Sequence, residues 1–181
     1  MEAHLDVTIA LLERTPTALN AMLRGLPDSL TRSNEGGETW SPFDVVGHLI
    51  HADLADWMPR ARWILEFGES EPFPPFDRHG HKQLTQGKSL AQLLDEFTEV
   101  RAEKLNDLRS LNLQLEDFAR CGRHPALGSA TLAQLLATWA AHDLNHVHQI
   151  SRIMAFQYRG AVGPWQKYLG VMHCNGHGAS A

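Results

Sequence analysis

Two histidines four residues apart, His142 and His146, stand in the stretch Trp139-Ala-Ala-His142-Asp-Leu-Asn-His146-Val-His148, which contains neither Gly nor Pro. On a helix, positions i and i+4 lie one above the other on one face. Two imidazoles set that way can share a metal ion. Leu132, Leu135 and Trp139 lay down an apolar stripe before them, and Ile150 and Ile153 resume it after them. The pair falls where the stripe continues, so both rings are expected to face the core. A third imidazole would leave the fourth position of a tetrahedral ion to water or substrate, the layout of a catalytic site. Imidazole sites suit Zn, Ni, Cu or Fe. His48 offers the third ring, from a stripe with Val45, Ala52 and Ala55, and small Gly47, Ala52 and Ala55 leave room beside it. His51, three residues on and partly on the same face, is its rival. His148 is offset from the His142 face and reads as a surface or packing residue.

Zinc proteases place a Glu after the first histidine as general base. Here that position holds Asp143, which is short for the role. It reads either as an acceptor for an imidazole N–H or as a solvated helix residue. No nucleophile elbow, P-loop or dinucleotide fingerprint is present. His79-Gly80-His81 lies in a long loop, where it reads as solvated or as reaching the pocket mouth. His173-Cys174-Asn175-Gly176-His177 resembles half of a soft-metal patch without its other half. The five tryptophans, Trp40, Trp57, Trp63, Trp139 and Trp165, read as core and helix-junction packing, with some lining a pocket near the metal.

The elements that must position these residues are helices. Leu5, Ile9, Leu12, Leu19 and Leu23 give residues 2–26 a helical spacing that Pro16 kinks or shortens. Residues 27–40 form a connector. Ser41-Pro42-Phe43-Asp44 opens a second helix, with a capping Ser, a Pro in the first turn and an acid at the third position. It runs to Phe67-Gly68, with a kink expected at Pro59. Residues 68–88 are an unpatterned loop. Ser89 and Gln92 cap a third helix to Leu111, whose charged residues Asp95, Glu96, Glu99, Arg101, Glu103 and Lys104 read as its solvated face. After a connector at 112–130, Thr131 and Gln134 cap a fourth helix to Tyr158. Pro164 to Leu169 make a short helical turn, and residues 173–181 a flexible tail. Alternating β-branched runs and repeats are missing, so residues 1–172 read as a single all-α four-helix-bundle domain.

Composition agrees with a soluble protein. The 181 residues are 43% hydrophobic and 20% charged, with a formal net charge of -5. Scattered basic residues on an acidic chain argue against a nucleic-acid partner. No apolar run reaches the roughly 18 residues of a membrane span. The opening Met-Glu-Ala-His lacks a signal-peptide layout, and two cysteines make no disulfide framework. These features together predict a cytoplasmic location. Eleven histidines is a high count that favours metal chemistry and also makes chance pairs commoner.

Three segments together resemble the DinB/YfiT-like family of small helical metalloproteins. They are Trp40-Ser41-Pro42-Phe43-Asp44-Val45-Val46-Gly47-His48-Leu49, Ala141-His142-Asp143-Leu144-Asn145-His146-Val147-His148-Gln149-Ile150, and Gly163-Pro164-Trp165-Gln166-Lys167-Tyr168-Leu169. The resemblance implies a metal triad of His48, His142 and His146, which selects His48 over His51. It implies an up-down-down-up bundle, a homodimer, and zinc or nickel as the divalent metal. It further implies either a thiol S-transferase that uses a low-molecular-weight thiol or a hydrolase, on a small molecule that the residues do not identify. A non-catalytic metal-binding or stress-related binding module is the alternative. Arg60, Arg62 and Lys167 read as surface charge or, alternatively, as holding a carboxylated cofactor.

Overall fold

The computed structural model describes residues 5–174. The first bundle helix is broken in two, α1 (Leu5–Leu12) and α2 (Arg14–Leu23). Pro16 accounts for the break: it has no N–H to give the Leu12 carbonyl four residues back. A short α3 (Asp28–Thr31) interrupts the expected connector. The second bundle helix comprises α4 (Pro42–Ala52), a wide π turn (Asp53–Trp57) and α5 (Met58–Phe67). The disturbance expected at Pro59 therefore takes the form of that turn, which lets the chain pass the proline without losing its helical course. A four-residue α6 (His81–Leu84) lies within the expected loop. The other two bundle helices are α7 (Leu90–Ser110) and α8 (Leu132–Gln157).

All three capping boxes form. The Ser41 N–H donates to Asp44 Oδ2 at 2.9 Å, Ser89 N–H to Gln92 Oε1 at 2.8 Å, and Thr131 N–H to Gln134 Oε1 at 2.9 Å. In return each hydroxyl accepts from the backbone N–H three residues on. Each helix that carries a site residue or its support therefore starts at a fixed place.

The core divides into two apolar clusters that give the chain direction. One holds Ile9 and Leu12, Trp57 to Ile64, Leu105 and Leu108, and Leu132 to Ala140. The other holds Leu19 and Leu23, Phe43 to Ile50, Leu93 to Phe97, and Ile150 and Ile153. The first and fourth helices thus run from the first cluster to the second, and the two middle helices run back. This is the up-down-down-up order, with residues 68–88 returning the chain along the bundle.

A two-stranded hairpin, β1 (Cys121–His124) and β2 (Gly128–Thr131), adds to the all-α expectation, paired from Cys121↔Thr131 to His124↔Gly128. Its Cys-Gly-Arg-His and Gly-Ser-Ala-Thr sequences lack the alternation that marks a strand. Gly122 lets it dock, because a Cβ there would lie 2.5 Å from the Phe73 ring. After α8, 3-10 turns span Gly163–Tyr168 and Gly170–Met172. The second packs on α8. Trp165, expected to pack, is instead 69% exposed, and Tyr168 is 75% exposed. Among the described residues, no helix is long and apolar enough to cross a membrane.

Candidate metal centre

His48 sits mid-helix on α4, between buried Val45, Val46, Leu49 and Ile50, and is 6% exposed. Across the bundle, α8 buries Trp139, Asp143, His146, Ile150 and Ile153 at spacings of four, three, four and three. His142 stands at the edge of that stripe, half-buried. The three rings converge through their Nε2 atoms. His142 Nε2 lies 3.2 Å from His48 Nε2 and 3.0 Å from His146 Nε2, and all three lie within 4.8 Å of one another. Nitrogens bound at about 2.0–2.1 Å to a tetrahedral ion are roughly 3.3 Å apart. The residues present fit a divalent metal.

Protonation agrees with that fit. The His146 Nδ1–H donates to Gln149 Oε1 at 2.7 Å, which leaves Nε2 as the lone-pair atom. Burial, with His146 and His142 adding to it, lowers the His48 pKa to about 2. Burial, followed by His146 and Arg101, lowers His142 to about 3. Both rings are therefore neutral at pH 7, the form that binds metal. With its hydrogen on Nδ1, His146 turns a lone pair toward the other two Nε2 atoms, at a spacing that one cation would bridge.

Aromatic rings wall the cluster. Trp40 lies 4.8 Å from the His48 ring and is nearly parallel to His146 at 6.3 Å. Trp57 meets His142 edge-on at 5.0 Å, and Phe76 meets His48 at 6.1 Å. His81 is fully buried, 4.8 Å from Trp40 and 6.1 Å from His48, with its Nδ1–H on the Arg78 carbonyl. The loop pair therefore divides: His81 forms part of the wall and His79 is exposed. Gly47 makes this possible. A Cβ there would lie 2.3 Å from Thr85 Cγ2, so the space beside His48 is filled by the segment that brings His81 in.

The remaining candidates lie elsewhere. His51 donates from Nε2 to the Asp77 carbonyl at 2.9 Å and stacks on Phe76. His148 is exposed and outside the cluster. His173 bonds the Gln166 carbonyl and Cys174 is exposed, while His177 lies outside the described residues. Arg60 pairs with Asp56 at 2.7 Å, Arg62 faces Asp107 at 3.4 Å, and Lys167 lies over Tyr168. None of these three basic residues is directed to the imidazoles by its contacts.

Asp143 corrects both readings made of it. It is 0% exposed, and its carboxylate engages Arg101 through both oxygens. Arg101, assigned above to a solvated face, is 1% exposed. Its other fork holds Asp53, with Nε to Oδ2 at 2.7 Å and Nη2 to Oδ1 at 3.0 Å. Trp139 Nε1–H also donates to Asp53 Oδ1 at 3.0 Å. Burial raises the Asp53 pKa to about 6 against the pull of Arg101, so it is ionised at pH 7. The two carboxylates outweigh burial and raise the Arg101 pKa. A stripe signal for Arg101 was available, because Leu94, Phe97, Leu105 and Leu108 put residue 101 on the buried face of α7.

Residues 11–150 match the sequence profile of the DinB superfamily. Among solved structures, the chain is similar to YfiT from Bacillus subtilis, described as "a probable metal-dependent hydrolase with an unusual four-helix bundle topology". The TM-score is 0.69 at 22% identity, over 89% of this chain and 90% of that one. It is also similar to TT2238, described as a four-helix bundle protein, with a TM-score of 0.51 at 18% identity, over 82% of this chain and 98% of that one. At these identities both likenesses show the fold. No curated protein matches the chain.

Proposed function

The chain belongs to the DinB superfamily, and on that footing we propose that it is a metal-dependent enzyme acting on a small molecule, a thiol S-transferase or a hydrolase. One observation carries the proposal: three Nε2 atoms, two from buried rings and one from a half-buried ring, converge from two facing helices within 4.8 Å of one another. His48, His142 and His146 would hold one divalent ion, zinc or nickel, and leave a coordination position open. When bound, such an ion polarises substrate oxygens and lowers the pKa of a water or thiol placed on it.

The chain's own residues do the rest. Gln149 holds the His146 ring with its lone pair inward. Trp40, Trp57 and Phe76 give the site an apolar wall that limits water. The hydrolase reading has the description of YfiT behind it. The S-transferase reading, with a low-molecular-weight thiol as co-substrate, is favoured by the fate of Asp143. That carboxylate occupies the sequence position of a protease base, and Arg101 engages both its oxygens. Among the described residues, no carboxylate joins the imidazole cluster. A thiol made acidic by a metal needs no such base. A homodimer in the reducing cytoplasm completes the proposal.

The test is a screen of protein loaded with zinc or nickel. Transfer of small thiols onto electrophiles is assayed beside ester and amide hydrolysis. Turnover that disappears in His48→Ala and His142→Ala supports the enzyme. Metal-loaded protein without turnover in any class would overturn it in favour of a non-catalytic metal-binding module.

A further inference from the structure

Arg101 lies at the junction of all four bundle helices, and each of its five N–H groups has an acceptor. Nε and Nη2 reach Asp53 on the π turn of the second helix. Nη1 and Nη2 reach Asp143 on α8. The remaining Nη1–H donates at 2.9 Å to the Leu12 carbonyl, the one that Pro16 leaves without its helical donor. Asp53 receives a further bond from Trp139 on α8. The guanidinium is planar and rigid, so two forks and a carbonyl bond fix direction as well as distance.

The acidic ends of this network adjoin the imidazoles. Asp143 follows His142 by one residue and precedes His146 by three, and Asp53 follows His48 by five. Apolar burial is non-directional, so an apolar stripe orients a helix only to within the width of the stripe. A slip of one residue on α8 is about 1.5 Å of translation and 100° of rotation, which would take both imidazoles off His48. The fork on Asp143 forbids it. On the other side, the fork on Asp53 fixes the π turn, and so the rotation of α4 about its own axis.

We propose that Asp53, Arg101 and Asp143 are positioning residues for the metal centre: they set the rotation and register of α8 against α4, so that three Nε2 atoms meet at one point. The assignment rests on the reading of His48, His142 and His146 as metal ligands. A merely structural network would add stability and leave the ligand geometry alone. The two roles separate by experiment, because well-packed apolar residues often replace a buried ionic group with little loss of stability.

The experiment uses Co2+ alone as probe, on the full chain, with visible absorption bands reporting ligand geometry and chelator competition reporting affinity. Two variants are compared with wild type: Arg101→Lys, which keeps the charge and loses the forks, and the apolar triple Asp53→Leu, Arg101→Met, Asp143→Leu. Both are measured where circular dichroism shows full helix content. The expected result is altered bands and a Co2+ dissociation constant raised about 10–100-fold in both, the range for residues that orient metal ligands. Wild-type bands and affinity in either folded variant would overturn the proposal. Failure of both to fold would also overturn it, since the network would then hold the bundle and not the site. Wild-type protein that takes up no Co2+ sinks the metal reading and this inference with it, whereas wild-type uptake with unchanged variants sinks this inference alone.

Discussion

His48 Nε2 lies 3.2 Å from His142 Nε2, although 94 residues separate them. That contact spans the two helices and is shorter than the spacing of nitrogens on one ion, so a metal would spread the pair only slightly. Removal of either ring leaves two protein ligands where an open catalytic site needs three. His48→Ala and His142→Ala are each expected to weaken Zn2+ binding by at least about 100-fold, and His51→Ala to leave it unchanged. Competition with a chromogenic chelator measures this. Equal losses for His51 and His48 would mean that the wrong rings have been assigned.

The His146 ring is oriented by Gln149, whose Oε1 accepts its Nδ1–H at 2.7 Å. Gln149→Leu keeps the volume and removes the acceptor. The freed ring can turn or change tautomer, and metal affinity is expected to fall about 10–100-fold. Helix content should stay the same. Gln149→Glu keeps an acceptor at the same place and should recover most of the affinity, as read by the same titration.

Metal-free protein is expected to lose stability as the pH falls below 6.5. In the unfolded chain His48 and His142 titrate at their ordinary value, whereas the fold holds them at about 2 and about 3. Below pH 6.5 the unfolded state therefore binds protons that the folded state refuses, and the balance shifts toward unfolding. Burial lowers His81 and His124 with the same sign. Asp53, raised to about 6 by burial, and Asp56, also raised by burial, work the other way. The net slope just below pH 6.5 is then on the order of one proton, roughly 1.4 kcal/mol per pH unit. Urea midpoints between pH 7.5 and 5 measure it, and the double variant His48→Phe, His142→Phe should show a flatter profile. A wild-type midpoint that rises on acidification would contradict the burial of these rings.

The sequence carried the helices and the imidazoles because both obey local rules. Capping boxes at Ser41, Ser89 and Thr131 act over three residues, and the His142 to His146 spacing is one helical turn. Arg101 was misplaced because its charge outweighed its position: Leu94, Phe97, Leu105 and Leu108 put it on the buried face, but only a tertiary fold supplies Asp53 and Asp143 to neutralise it. Trp165 erred in the opposite direction, an aromatic ring with no surface to cover it. The hairpin at 121–131 was hidden because its pairing depends on Gly122 fitting against Phe73, a contact across about fifty residues that leaves no period in the sequence. His81 was legible as a histidine and illegible as a wall, since its place depends on the missing Cβ of Gly47.

Gly47→Ala tests that last dependence. In an open helix the change would stabilise by roughly 1 kcal/mol. Here the new methyl would lie 2.3 Å from Thr85 Cγ2, and overpacking of this kind costs about 1–3 kcal/mol. The variant is expected to be less stable than wild type in urea, with residues 81–85 displaced from α4. Thr85→Ser removes the methyl that collides and should restore most of the loss in the double variant, so a mutant cycle returns a coupling energy on the order of 1 kcal/mol. Purely additive effects would show that α6 does not pack on Gly47. The same cycle read by metal affinity reports on the wall itself. If His81 and Trp40 shape the mouth of the site, Gly47→Ala weakens or alters metal binding together with stability, and Thr85→Ser recovers both.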